Sequence, residues 1–490
     1  MKRRRAYATA TAVSLASLLS LGLSAPPVGG APATDRTSGY LVVLTDAAGS
    51  PSAASGRQLR KVGGQRTAVY THALKGYAAT LTAAQAAELA EDPQVRFVSP
   101  QRTYTTGPPR KPATAKKTGQ AEETGQEQAR PADCESSPVG RQCVPEFVER
   151  VRADRSSARS GDGKGAVDVN VAVLDSGIDP GGLDLNVRGG VDCLSGIPVV
   201  PGLSLTDPTV HGTPVAGIIG ARDNDRGLVG IAPGTPLWSV KIVDDEGFVD
   251  DAAFMCAMDW LVATRTDADP SNDIVIANMS IGSFPEDSAF TDLDDGACGT
   301  VNEDAAHMAV CRLVAVGITP VASAGNDRVD LAQVSPAAYD EVVTATAMAD
   351  YDGRPGGREK PPVCYGTDEG FLGEADDLAA LEFSNFARSR ADRRHTVAAP
   401  GLCMEAAAPP PLHHAVLVGT SFAAPVTAGV LALCVHTGRC DPSRPARSLR
   451  TLVDDTRASN DAHPRHGFFG DPRRPIPGHY YGPLVAADRY

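Results

Sequence analysis

Apolar runs that stop abruptly at a polar residue constrain this chain more than any other feature. Val169-Asn170-Val171-Ala172-Val173-Leu174 leads into Asp175, and Ser176-Gly177 then turn the chain away. Such a run has no wet face, so it reads as a strand buried on both sides, as in parallel sheets. Val321-Ala322-Ser323-Ala324-Gly325-Asn326 reads as another strand, ending in Asn326. From Val167 to Val435 strand-like and helix-like segments alternate. The expected fold is therefore α/β, a three-layer sandwich with a mostly parallel sheet and helices on both faces. Sites in open sheets of this kind form at the carboxyl ends of strands, where Asp175 stands.

Two further segments carry chemistry-bearing side chains. His211 precedes Gly212-Thr213-Pro214-Val215-Ala216-Gly217, small residues that let a helix pack closely. Proline is tolerated in a first turn, so Pro214 places the helix start near His211. Ser421 lies in Gly419-Thr420-Ser421-Phe422-Ala423-Ala424-Pro425, and Val426 to Val435 is almost wholly apolar or small. That stretch reads as a buried helix with Pro425 near its start and Ser421 at its N-terminus. Unpaired N–H groups and the positive dipole end meet there, which suits a developing oxyanion. Taken singly, Asp175, Ser421 and Asn326 are ordinary caps or turn residues, and a lone His211 is ordinarily structural. Taken together they supply a nucleophile, its base, an orienting carboxylate and an amide donor for a tetrahedral oxyanion.

The segments DSGID, HGTPVAG and GTSFAAP, in the order Asp, His, Ser, resemble the subtilisin-like serine protease family, the subtilases. The resemblance runs from about Gly39 to the C-terminus. It implies that Ser421 attacks a peptide carbonyl, His211 shuttles the proton and Asp175 orients His211. Asn326, in an AGN segment, and the Ser421 backbone N–H would bind the oxyanion. Ser280-Ile281-Gly282 and Ser323-Ala324-Gly325 resemble the paired segments that line the first specificity pocket; read without the family, they are equally two strand ends in a tight core. The implied activity is that of a secreted serine endopeptidase acting on polypeptides, with no cofactor needed for the chemistry. An α/β-hydrolase would want G-x-S-x-G and the order Ser, Asp, His, and the site has neither. An exported binding module that kept this fold without catalysis is the alternative from another class.

The ends of the chain suggest a precursor. Lys2 to Arg5, the apolar stretch Ala6 to Leu23 and the small residues of Ala31-Pro32-Ala33 have the form of a secretory signal, residues 1–33. Residues 34–105 read as a small α+β unit with strands at Tyr40–Leu44, Lys75–Leu81 and Val95–Val98 and a helix after Thr82. With its GYAATL and VRFVSP phrases it resembles the inhibitor-type propeptide of subtilases, which implies an intramolecular inhibitor. Residues 106–132, rich in Pro, Lys, Thr, Gln and Glu, form a linker that cannot bury a core, and 133–490 form the catalytic domain. Self-cleavage is expected between about Tyr104 and Val144, leaving a mature start near Cys134.

A formal net charge of -13 argues against nucleic acid or anionic membrane as partner, and a monomer is expected. Ten cysteines in an exported chain read as disulfides. Spacing suggests Cys134–Cys143, Cys434–Cys440 and Cys298–Cys311 and leaves Cys193, Cys256, Cys364 and Cys403 unassigned. Asp223-Asn224-Asp225 could hold calcium but lacks a clear motif, and a polar turn fits it better. Asp352 to Ala380 and Phe284 to Thr300 read as acidic surface insertions, the sharper alternative being rims of a substrate cleft.

Overall fold

The computed structural model describes residues 36–107, 142–181, 183–284, 292–357, 359 and 375–490. The expected signal segment and all of the linker beyond Gly107 up to residue 132 lie outside these residues. The N-terminal unit runs β1 (Thr37–Leu44), α1 (Pro51–Val62), β2 (Gln65–Tyr70), β3 (Gly76–Thr82), α2 (Ala83–Ala90) and β4 (Val95–Pro100). Its antiparallel sheet has the order β2-β3-β1-β4. A capping box starts α2: Thr82 Oγ1 accepts from the Gln85 N–H and Gln85 Oε1 accepts from the Thr82 N–H. The sequence pattern points to neither α1 nor β2. Helix α1 turns Pro51, Ala54, Leu59 and Val62 toward the core, a thin apolar stripe interrupted by the buried polar residues Ser55 and Gln58.

After β5 (Thr103–Thr105) the large unit follows as α3 (Glu146–Arg150), β6 (Val171–Asp175), β7 (Val187–Asp192), α4 (Gly212–Gly220), β8 (Leu237–Lys241), β9 (Phe248–Asp250), α5 (Asp251–Thr264), β10 (Ile276–Met279), β11 (Gly282–Ser283), α6 (Ala305–Ala315), β12 (Thr319–Ser323), β13 (Val343–Ala349), β14 (Leu378–Ala379), β15 (Thr396–Pro400), β16 (Met404–Ala407), β17 (His414–Leu417), α7 (Thr420–His436) and α8 (Pro445–Ala462). Eight of these strands form one sheet, β14-β13-β12-β10-β6-β8-β7, with β15 also on β13. Every pairing in it is parallel except β13 with β14. The alternation along β6 shows why its sequence is apolar throughout. Val171 and Val173 join a core with Val215 and Ile219 of α4 and Ala424 and Val426 of α7. Ala172 and Leu174 point the other way, into a core with Phe254 and Leu261 of α5 and Ala309 and Val310 of α6. The α/β three-layer expectation holds.

The N-terminal sheet is also buried on both faces, but by different units. Val42, Leu44, Tyr77, Ala79 and Leu81 pack against Ala54 of α1 and Leu89 of α2. Leu41, Val43, Ala68, Tyr70, Ala78 and Phe97 belong to the core built on α5 and α6. At its corner, Asp259 Oδ1 of α5 accepts three successive backbone N–H groups, from Thr71, His72 and Ala73, at 2.9, 2.6 and 2.8 Å.

Three bridges are described: Cys193–Cys256, Cys298–Cys311 and Cys434–Cys440. The last two match the pairs suggested by spacing. The first joins the loop after β7 to α5 across a separation of 63 residues, which no local spacing could suggest. Cys143 and Cys403 are also disulfide-bonded, while Cys134 and Cys364 lie outside the described residues.

Two surface readings change. The 352–380 insertion is not all solvated: β14 lies in it, and Asp376 and Asp377 are buried. The buried Arg150 guanidinium of α3 draws Asp350 and Asp377 together beneath it. Asp223 is a backbone clamp, its two carboxylate oxygens accepting the N–H groups of Gly161, Gly163 and Gly165 at 3.1, 2.9 and 3.0 Å.

Candidate active site

Asp175 ends β6, fully buried, and its Oδ1 accepts from His211 Nδ1 at 2.8 Å and from the Ser176 N–H at 2.7 Å. His211 occupies the N-cap position of α4, but the capping side chain is that of Asp207, which the sequence pattern does not single out. Asp207 accepts the His211 N–H on Oδ1 at 3.3 Å and the Thr213 N–H on Oδ2 at 2.8 Å. Ser176 Oγ donates to Asp207 at 2.6 Å and accepts the Gly212 N–H at 3.0 Å. Gly212 must be glycine, because a Cβ there would stand 2.2 Å from the Gly177 carbonyl oxygen and 3.0 Å from Asp175 Cβ. The hydrogen bond to Asp175 puts the proton on Nδ1 and leaves Nε2 as the basic nitrogen. Nε2 is buried with no hydrogen-bond partner among the described residues. Burial alone would depress the imidazole pKa, but the charge and hydrogen bond of Asp175 and the charge of Asp207 outweigh it, so the net shift is upward.

Ser421 is the second residue of α7 and is buried. Its Oγ donates to the Ser280 carbonyl at 3.3 Å. The expectation that Pro425 lies at the helix start needs correction, because it sits in the second turn, inside α7. A proline there cannot donate to the carbonyl four residues back, which is that of Ser421. The missing donor is replaced from another element: Ser280 Oγ donates to the Ser421 carbonyl at 2.7 Å. Asn278 Nδ2 in turn donates to Ser280 Oγ at 2.9 Å. The turn carrying the nucleophile candidate is thus fixed from the end of β10.

Asn326 follows β12 in a loop that turns at Gly325, whose φ is +96°. Any Cβ at Gly325 would stand 2.3 Å from Asn385 Nδ2. Asn326 Oδ1 accepts from Thr420 N–H at 3.0 Å and Thr420 Oγ1 at 2.9 Å. Those two bonds fix the amide's orientation and send Nδ2 outward, where it donates to the Gly107 carbonyl at 3.4 Å.

That contact is the end of a longer one. Strand β5 lies antiparallel between β11 and β9, pairing Thr105 with Gly282 and Phe248, and Tyr104 with Ser283 and Val249. The chain's own segment therefore occupies the groove as an added strand and delivers a carbonyl to Asn326. Beside Gly107 opens a recess of about 190 Å³, lined by Ser323, Gly325, Asn326, Gly282, Phe284 and Ser421 among others. Of the six residues expected to bind substrate, Gly282, Ser323 and Gly325 line it. Ser280 lies behind Ser421, and the Ile281 carbonyl accepts Ser323 Oγ at 3.1 Å, tying the two segments together. Ala324 faces inward, its N–H bonded to the Ala345 carbonyl at 2.9 Å.

The sequence model described as the subtilase family matches residues 166–468, well over half of the chain. The chain is a member of the subtilase family. A second model, peptidase inhibitor I9, matches residues 39–107, so the unit whose end fills the groove is this subtilase's propeptide region. The minor extracellular protease Epr of Bacillus subtilis is 35% identical over 179 residues, 36% of this chain and 23% of the relative. Subtilisin DY of Bacillus licheniformis is 31% identical over 210 residues, 42% of this chain and 65% of the relative. The matched stretches thus span less than two thirds of either relative. A solved structure of fervidolysin from Fervidobacterium pennivorans shares the fold, with TM-score 0.59 and 18% identity, covering 92% of this chain and 60% of that one. Among the described residues, no helix is long and apolar enough to cross a membrane.

Proposed function

We propose that this subtilase is a secreted serine endopeptidase made as a self-processing, self-inhibited precursor. Export is supported by the signal-like N-terminus and by the extracellular relative. The observation that carries the catalytic reading is the Gly107 carbonyl facing Asn326 Nδ2 at 3.4 Å, with the Asp175–His211 pair between the end of β6 and the start of α4, and Ser421 at the start of α7. In this reading Ser421 Oγ forms a bond to the carbonyl carbon while its proton passes to His211 Nε2. The carbonyl oxygen becomes the oxyanion, held by Asn326 Nδ2 and the Ser421 N–H. The C–N bond then breaks as Nε2 returns the proton to the leaving amine, and water repeats the sequence to free the acid. Asp175 holds the tautomer and stabilises the imidazolium without taking the proton itself.

By the same reading the domains divide at Gly107, and the first self-cut falls between Gly107 and Pro108, at the near edge of the interval expected from sequence. The test is wild type against Ser421→Ala, expressed identically in a host lacking other extracellular proteases. Wild type should lose the N-terminal unit and react with a fluorophosphonate probe at Ser421, while the variant keeps the unit and stays unlabelled. Equal processing of both would assign the cut to another protease, and an intact, unlabelled wild type would favour the binding module.

A further inference from the structure

The groove holds more than a carbonyl and a backbone strand. Tyr104, three residues before Gly107, is completely buried, its ring stacked on Phe254 at 5.1 Å between centroids. Its hydroxyl donates to Asp251 Oδ1 at 2.6 Å. Arg102, two residues earlier and so on the same face of the strand, forks onto Asp304 with Nη1 to Oδ2 at 3.0 Å and Nη2 to Oδ1 at 2.6 Å. The Arg102 N–H donates to Asp251 Oδ2 at 2.8 Å. Both acids belong to the protease unit and both are buried. Asp251 opens α5, and Asp304 caps α6 by accepting the Ala306 and His307 N–H groups. Tyr339 Oη donates to Asp304 at 2.8 Å from behind, which fixes the carboxylate plane toward the groove.

Once the N-terminal unit departs, Asp304 keeps the N–H groups of Ala306 and His307 and the hydroxyl of Tyr339, and Asp251 keeps its backbone place at the start of α5. They then face a groove from which a phenol and a guanidinium have been withdrawn. A site built to hydrogen-bond a substrate hydroxyl disfavours the analogue that lacks it. We propose that the groove selects substrates on these two acids: polypeptides with Tyr three residues, and Arg five residues, before the residue whose carbonyl is attacked. Asp251 reads the phenol and Asp304 the guanidinium. Phe254 supplies a flat apolar wall that by itself would accept phenylalanine equally well, so the discrimination rests on Asp251. This deepens the protease reading and depends on it.

The full chain is expressed, and the form it reaches in the medium is purified. It is offered internally quenched peptides containing Arg-Thr-Tyr-Thr-Thr-Gly-Ala-Ser, the same with Phe for Tyr, the same with Gln for Arg, and casein as a general substrate. Losing one hydrogen bond to a charged group predicts a drop in kcat/KM of roughly 10- to 100-fold for the Phe peptide, and losing the forked ion pair predicts a drop at least as large for the Gln peptide. Asp251→Leu should reverse the order and prefer the Phe peptide; should that variant not fold, the wild-type peptide series decides alone. Equal rates on the Tyr and Phe peptides, with casein hydrolysed in a Ser421-dependent way, overturn the selectivity and leave the protease standing. Failure to hydrolyse casein or any peptide overturns the protease reading and this inference with it.

Discussion

The two halves of the cleft are built on opposite plans. In the chemical half, each group is held in position from within the protease unit. Asp175 and Asp207 hold His211 and the start of α4, Thr420 fixes Asn326, and Ser280 supports the carbonyl of Ser421. In the recognition half, the buried acids Asp251 and Asp304 are met by Tyr104 and Arg102 of the N-terminal unit. The catalytic groups therefore keep their geometry whether or not the propeptide region is present. The recognition groups are complete only when something fills the groove. In the proposed function, inhibition and selectivity would be one set of contacts seen at two times.

The strongest test of this division is Ser421→Ala. It should lower turnover of peptide substrates by about 10⁶-fold. It should leave the N-terminal unit docked, since Tyr104 and Arg102 are held by Asp251, Asp304 and Phe254. Near-normal turnover in a pure sample would end the assignment. Next in size is Asn326→Leu, which removes a donor to charge present only in the transition state. A fall in kcat of about 10²–10³-fold with little change in KM is expected. A change confined to KM would move Asn326 to the recognition half.

A third substitution probes the other side. In the Ser421→Ala precursor, Arg102→Gln removes the cation that faces two buried carboxylates and should reduce stability by about 3 kcal/mol, read from denaturant unfolding. No loss of stability would mean that the acids do not depend on the N-terminal unit. The smallest effect concerns Asp207→Asn. His211 must be neutral to accept a proton, so activity is lost as pH falls through its pKa, which lies above the usual 6.5. Removing the Asp207 charge takes away one of the causes of that rise. The acid limb of kcat/KM should move to lower pH, and the plateau at high pH should fall as well, because the amide can accept on one oxygen only. An unmoved limb would show that Asp175 alone sets the titration.

What can be read from the sequence follows from range. Asp175, His211, Ser421 and Asn326 are announced by their own neighbours, because a buried strand or helix on one side and a turn on the other are local patterns. Asp207 is not announced: it stands in the turn Thr206-Asp207-Pro208, and its task appears only when Ser176, His211 and Thr213 converge on it. The work of Ser280 is invisible for a sharper reason. Its acceptor is a carbonyl freed by Pro425, on a helix far along the chain, and the local pattern places Pro425 itself one turn too early. Asp251 and Asp304 look in sequence like any helix-start acids, and the apolar faces of α1 and β2 are short and interleaved with polar residues. The Cys193–Cys256 bridge spans elements that only the folded sheet brings together.

The N-terminal sheet has half of its burial supplied from outside, since Leu41, Val43, Tyr70 and Phe97 are covered by α5 and α6. The proposed cut would strip that cover away: the departing unit would carry a bare apolar face, and a small domain so exposed unfolds readily and becomes digestible. The protease would then consume its own template. Maturation would then acquire a direction, because the piece proposed to shape the groove would no longer exist to reshape it. From that moment the lifetime of the enzyme would be governed by how slowly it opens, and no longer by how well it could fold again.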